Sequence, residues 1–384
     1  MSVTAPRGFR AAGVTAGLKA SGRPDVALVV NDGPQASGAA VFTRNRVFAA
    51  PVQVSREAVA DGRVTAVVLN SGGANACTGA PGLADARETA RAVGAALDAD
   101  PGDVVVCSTG LIGVPLPMDL LLPGVDAAAA ALSAEGGPDA ATAIMTTDTV
   151  SKQTVQQGPG FTVGGMAKGA GMLAPALATM LCVLTTDAEA DPADLDRALR
   201  VATRVTFDRL DSDGCLSTND TVVLLASGAS GTRPEYDDLE RAVTAACADL
   251  ARQLLADAEG ASKEVAITVA NAAGEDEAVT VGRAVARSNL LKCALHGEDP
   301  NWGRVLAAVG TVEDATYDPD AIDVTINGVT VCRAGGVGEP REGCDLSGRK
   351  ITITIDLHAG SETATIWTND LTADYVHENS AYST

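Results

Sequence analysis

A set of short apolar runs constrains the fold more than any other feature of this chain. Residues 26–30, 64–69, 103–107, 180–184 and 218–226 are rich in valine and leucine, and the first two close on the polar turns Asn31-Asp-Gly33 and Asn70-Ser-Gly-Gly73. Runs this short, bounded by turn residues, read as buried strands rather than helices. Between them lie longer stretches with helical spacing, at residues 85–97, 191–200 and 285–295. The longest, 234–256, places Leu239, Val243, Ala246, Leu250 and Leu254 on one face. Residues 264–270 alternate as a strand does. Residues 322–331, 350–355 and 361–367 carry the alternation of a small antiparallel sheet. After Val376 the default expectation is a frayed, mostly polar end. The pattern predicts an α/β protein with an antiparallel component.

At 384 residues with 46% apolar content, the chain can fill two lobes. Aromatic residues make up only 3%, so the core must be built from small and β-branched side chains, and base-stacking platforms are missing. The 28 basic against 49 acidic residues leave a net charge of -21, which argues against nucleic acid or an anionic membrane surface as partner. The first residues form no apolar leader, and no run is long and unbroken enough to span a bilayer, so a cytoplasmic location is expected. Eight cysteines are dispersed without a C-x-x-C pair, which favours buried thiols over disulfides. Three histidines without ligand spacing make a metal site unexpected. Neither a phosphate-binding loop nor a well-placed dinucleotide fingerprint occurs.

The chemistry points to residues 164–186. Glycines 164, 165, 169 and 171, with Lys168 and Pro175, form what reads as a flexible, crowded loop that delivers Thr179 to the start of a strand. Ala178 is small, so the Thr179 hydroxyl can approach its carbonyl as an internal N-to-O acyl shift requires. A completed shift would make Thr179 an N-terminal nucleophile carrying its own amine as base. Elsewhere, Ser108-Thr109-Gly110 ends a strand with a hydroxyl and a backbone N–H side by side, the donors of an oxyanion site, although locally a plain turn explains it. The stretch 141–149 crowds hydroxyls around Asp148 without a following helix. Glu259 beside Gly260 places a negative charge where it opposes a helix dipole, so another reason for it is expected.

Together, the run from Lys168 to Leu181, Asn70-Ser-Gly-Gly-Ala-Asn-Ala76, Ser108-Thr-Gly-Leu-Ile-Gly113, Met145-Thr-Thr-Asp-Thr149, Asp257-Ala-Glu-Gly260, Gly297-Glu-Asp-Pro-Asn-Trp-Gly-Arg304 and His377-Glu-Asn-Ser-Ala-Tyr-Ser-Thr384 resemble, in order, the signatures of the ornithine acetyltransferase family of arginine biosynthesis. The resemblance covers the whole chain. It implies a layered αββα sandwich with a smaller C-terminal lobe, and self-cleavage between Ala178 and Thr179 into an α chain (1–178) and a β chain (179–384) that assemble as an α2β2 heterotetramer. It further implies Thr179 as nucleophile, and Thr109 and Gly110 as the oxyanion pair. Thr146 (or, one register on, Thr147), Lys168, Thr179, Glu259, Asn379 and Thr384 would contact substrate. The implied reaction moves acetyl from N2-acetylornithine to glutamate through acetyl-Thr179, releasing ornithine. No bound cofactor or metal is implied, and acetyl-CoA stays open as a co-substrate. A self-processing aminopeptidase or amidase, a paralogue in a secondary-metabolite pathway, and a non-catalytic binding protein are the alternatives.

Overall fold

Strands that are apolar on both sides must be covered on both sides, and the layers of this molecule follow from that requirement. The computed structural model of the chain describes residues 2–171 and 180–381. Ala178, Thr179 and Thr384 therefore lie outside the described residues. In order, the first part contains β1 (Phe9–Val14), β2 (Val26–Asn31), β3 (Ser37–Phe42), α1 (Ala50–Ala58), β4 (Ala66–Gly73), α2 (Gly79–Leu97), β5 (Val104–Leu111), α3 (Met118–Ala130), α4 (Gly137–Ala143), β6 (Lys152–Gly158) and β7 (Phe161–Lys168). Then come β8 (Leu181–Thr186), α5 (Pro192–Val205), β9 (Thr221–Ala226), α6 (Tyr236–Ala256), β10 (Glu264–Ala272), α7 (Glu275–Ala286), α8 (Asn289–His296) and α9 (Trp302–Val309). The chain ends with β11 (Asp323–Ile326), β12 (Val329–Arg333), β13 (Gly336–Val337), β14 (Lys350–Asp356), β15 (Glu362–Asn369) and α10 (Ala373–Ala381).

One sheet runs β1-β2-β4-β5, with only β4 and β5 parallel. A second runs β3-β9-β8-β7-β6, with only β8 and β9 parallel. Val29, Leu69 and Val105 of the first sheet pack on Met166, Val183 and Leu225 of the second. The alternate residues Leu28, Val68 and Val106 face α2 and α3, while Leu184, Val222 and Leu224 face α5 and α6. The result is a helix–sheet–sheet–helix sandwich, the αββα layering expected. Each fully buried leucine or valine contributes roughly 1.5–3 kcal/mol, so a core of many small side chains substitutes for the missing aromatics. A third sheet, β13-β12-β11-β14-β10-β15, backs onto α7, α8 and α9 and makes the C-terminal lobe.

Several expectations need correction. The third sheet is mixed rather than antiparallel, because β10 lies between a parallel β14 and an antiparallel β15. The helix expected at 285–295 is divided between two helices; α7 ends at Ala286 with Arg287 as its C-cap, and Ser288 caps α8, its hydroxyl accepting from Leu291 N at 3.3 Å. Residues 164–168 are strand rather than loop, held by β6 on one side and β8 on the other. Residues 108–110 end a strand as read and are not a plain turn, because Asn70 to Gly72 pair with them. Residues 377–381, expected to fray, belong to α10. All eight cysteines are free thiols, and Cys107, Cys182, Cys247 and Cys332 are buried.

Candidate active site

The facing sheets bring Lys168, the last residue of β7, against Thr109 near the end of β5, and the Lys168 ammonium donates to Thr109 Oγ1 at 3.3 Å. Both side chains are buried. Burial pushes the Lys168 pKa down, and Asp148 foremost opposes it. At the neighbouring position, Gly110 has φ +128°, and a Cβ there would stand 2.6 Å from the Gly72 carbonyl carbon. Only glycine fits, so the backbone of this candidate oxyanion position is dictated by the β4–β5 contact.

Asp148 organises the turn beside them. Its Oδ1 accepts from Gly169 N and from Lys152 Nζ, each at 2.7 Å, and its Oδ2 accepts from Thr146 N at 3.0 Å. Lys152, fully buried, also donates to Asp257 Oδ2 at 2.6 Å, and Asp257 accepts from the backbone and hydroxyl of Thr149. Burial would raise the Asp148 pKa, but Lys168 and Lys152 outweigh it and hold the carboxyl below its usual range. A lysine between two carboxylates thus ties residues 146–149 to the end of α6 and to the start of the segment after β7.

Glu259, just beyond α6, bonds through its backbone N to Ala170 O at 2.9 Å. Its carboxylate accepts from Asn379 Nδ2 of α10 at 3.0 Å. A Cβ on Gly171 would come within 2.5 Å of the same carboxylate, so that glycine makes room for it. Gly110, Thr146, Thr147 and Glu259 line one cavity of about 1020 Å³, together with Lys19 and Arg23. Lys19 Nζ donates to Pro24 O at 2.8 Å, and burial lowers its pKa to about 8 against the pull of Asp25. The Asp25 carboxylate in turn accepts from the backbone N–H groups of Ala16, Gly17, Leu18 and Lys19, which shapes this wall.

The described part of the site therefore gathers Thr109, Gly110, Thr146, Lys168, Glu259 and Asn379. Gly110, Thr146 and Glu259 line the cavity, whereas Thr109, Lys168 and Asn379 do not and join the site through Gly110 and Glu259. Sequence reasoning overlooked Lys19, Arg23, Asn219 and Asp220. The only signal for the last two was the polar turn entering β9. The lining offers carboxylates and cations to a small zwitterion, with a hydroxyl and a glycine backbone beside it. Among the described residues, no cluster of histidine, cysteine, aspartate or glutamate could hold a metal, and no helix is long and apolar enough to cross a membrane.

An αββα sandwich with a cavity of mixed charge at the ends of β4 and β5 is the class that fold and site define. The sequence profile of the ArgJ family matches residues 10–384, and the chain belongs to that family. It is 66% identical over 384 residues to the arginine biosynthesis bifunctional protein ArgJ of Thermobifida fusca, covering 100% of both chains. It is also 66% identical over 383 residues to the protein of that name from Streptomyces coelicolor, again with 100% of each covered. Among solved structures, an ornithine acetyltransferase from Mycobacterium tuberculosis, complexed with ornithine, is 52% identical over 47% of this chain and 96% of that one, with a TM-score of 0.43.

Proposed function

We propose that this chain is a self-cleaving acetyltransferase of arginine biosynthesis, which moves acetyl from N2-acetylornithine to glutamate through an acetyl-Thr179 intermediate. Family membership at 66% identity over full length supports the reaction class, and the bifunctional name of the relatives supports acetyl-CoA as a second acetyl donor. The observation that carries the reading is the Thr109–Lys168 contact beside Gly110, two oxyanion donors held next to a cavity of mixed charge. Acetyl transfer between two amines needs a covalent stop, since direct attack would require both amino acids at once. The freed Thr179 amine, with a reference pKa of about 8, takes the hydroxyl proton and returns one to the leaving amine. Thr109 and Gly110 stabilise the tetrahedral oxyanion, and Glu259 with Asn379 receives an ammonium of the substrate.

Cleavage between residues 178 and 179 yields α and β chains that stay joined, and the sheet geometry supports this. Lys168 pairs with Leu181 across β7 and β8, so the second sheet takes strands from both pieces. Two such pairs form the proposed α2β2 assembly. A denaturing gel tests the reading. Wild type is expected as two fragments of similar size that transfer acetyl from N2-acetylornithine to glutamate with ping-pong kinetics, and Thr179→Ala as one inactive chain. Transfer activity in an uncut chain, or in Thr179→Ala, would remove the N-terminal threonine from the mechanism.

A further inference from the structure

Two adjacent residues in the turn before β9 each grip the peptide unit of a different candidate catalytic residue. Asn219 Nδ2 donates at 2.8 Å to the Ser108 carbonyl, the peptide whose nitrogen belongs to Thr109, and at 2.6 Å to Ala74 O. Asp220 Oδ1 accepts at 3.0 Å from Met180 N, the peptide whose carbonyl belongs to Thr179. Thr221 N donates to the Met180 carbonyl at 3.2 Å, so Met180 is pinned from both sides. The turn is itself braced: Thr43 N donates to Asp220 O at 2.9 Å, and the Thr221 hydroxyl to Asn219 O at 3.0 Å.

Asp220 is fully buried, and among the described residues its Oδ2 has no hydrogen-bond partner of normal geometry. An open, buried carboxyl oxygen is costly unless another state of the protein completes it. Burial drives the Asp220 pKa well above the usual carboxylate range; the Met180 N–H, the Ser217 hydroxyl and the Lys168 charge oppose this, while Asp208 adds to it. Among the described residues, no cation is hydrogen-bonded to this carboxyl. Only the Thr179 Cα and carbonyl carbon separate the Met180 nitrogen from the Thr179 nitrogen. A carboxyl with one oxygen on the first nitrogen is therefore held one residue along the chain from the second.

We infer that Asp220 is the positioning residue for the Thr179 amine, its open oxygen holding that amine once cleavage creates it. The inference rests on the N-terminal nucleophile proposed above. When Thr179 attacks, its hydroxyl proton passes to the amine, the Oγ–acyl bond forms, and the substrate N–acyl bond breaks. The resulting ammonium then protonates the leaving amine. Asp220 carboxylate keeps its charge throughout and stabilises the ammonium, as the third member of a catalytic triad orients and stabilises its base. Cleavage precedes the amine, so it does not need this charge.

Asp220→Asn tests the assignment, because it keeps an acceptor for Met180 N and removes only the charge. The expected enzyme is cut into two fragments, loses ~100-fold or more in kcat, and shows the amine limb of its kcat/KM profile moved to lower pH, since ammonium is no longer favoured. Wild-type kcat with an unmoved limb overturns the inference. Should Asp220→Asn yield no cut, soluble protein, Asp220→Glu replaces it: the carboxylate is retained, so kcat falls but the limb stays at the wild-type position, and a limb shifted down overturns the inference. A wild-type chain that runs uncut defeats the proposed function itself; a cut wild type with an indifferent Asp220→Asn defeats only the role of Asp220.

Discussion

Lys168 Nζ lies 3.3 Å from Thr109 Oγ1 with both side chains buried, and an ammonium can only donate. The Thr109 oxygen is therefore an acceptor in this contact, which leaves its single proton to point elsewhere. A hydroxyl so polarised is suited to donate to a developing oxyanion. Thr109→Ala is expected to slow enzyme acetylation by ~100-fold with little change in KM, and Thr109→Ser to recover most of the rate. Single-turnover acetylation measures this, and an unchanged rate in Thr109→Ala assigns the oxyanion donor elsewhere.

Lys152 neutralises Asp148 and Asp257 in a dry environment. Its removal in Lys152→Met takes the bonded cation from Asp257 and leaves Asp148 with Lys168 alone, which is expected to cost ~3–5 kcal/mol in urea denaturation. Lys168 and Lys152 hold the Asp148 pKa below its unfolded value, so Asp148 adds stability above that value, about 3.9, and loses it as pH falls through the folded pKa. The stability gap between wild type and Asp148→Asn should be full at neutral pH and shrink below about pH 4. A gap independent of pH would assign Asp148 a role in packing alone.

Lys19 brings a cation to the cavity wall with its pKa lowered to about 8. As pH rises through that value the charge is lost, so KM for a carboxylate-bearing substrate should rise. Lys19→Arg keeps its charge and should flatten the step, while Lys19→Met should show a raised KM at every pH. Persistence of the step in Lys19→Arg would trace it to another group.

Glu259 and Asn379 meet at 3.0 Å beside the cavity. Glu259→Gln should weaken ornithine, which carries an extra ammonium, more than glutamate. A charged hydrogen bond of ~1.5–3 kcal/mol corresponds to ~10–100-fold in affinity. Asn379→Ala, which removes only the support, should have a smaller effect of the same sign. Calorimetric titration with both ligands decides, and equal losses for the two would make Glu259 a structural carboxylate.

Much of the scaffold was legible in the chain itself. Both sheets are buried on both faces, so β2, β4, β8 and β9 read as unbroken apolar runs, and α6 shows its core face at Leu239, Val243, Ala246, Leu250 and Leu254. At Thr109 and Gly110 the linear sequence does not decide between a strand end and a plain turn, because small polar residues form strand there only through pairing with Asn70 to Gly72. The helix at residues 373–381 is hidden for a similar reason: α10 is mostly polar, with no buried side chain to mark its face, and the structure ties it down through Asn379.

The candidate site divides the same way. Thr109, Gly110, Thr146 and Glu259 stand out in the linear sequence because hydroxyls, glycines and an oddly placed carboxylate break local rules. What Lys168 touches, why Lys152 is buried, and how Asn219 and Asp220 hold Ser108 and Met180 do not. Those contacts join residues 59, 105, 111 and 40 positions apart. Periodicity reports which face of an element is buried, whereas a hydrogen bond between two packed sheets depends on their register and separation, which only the folded layers establish.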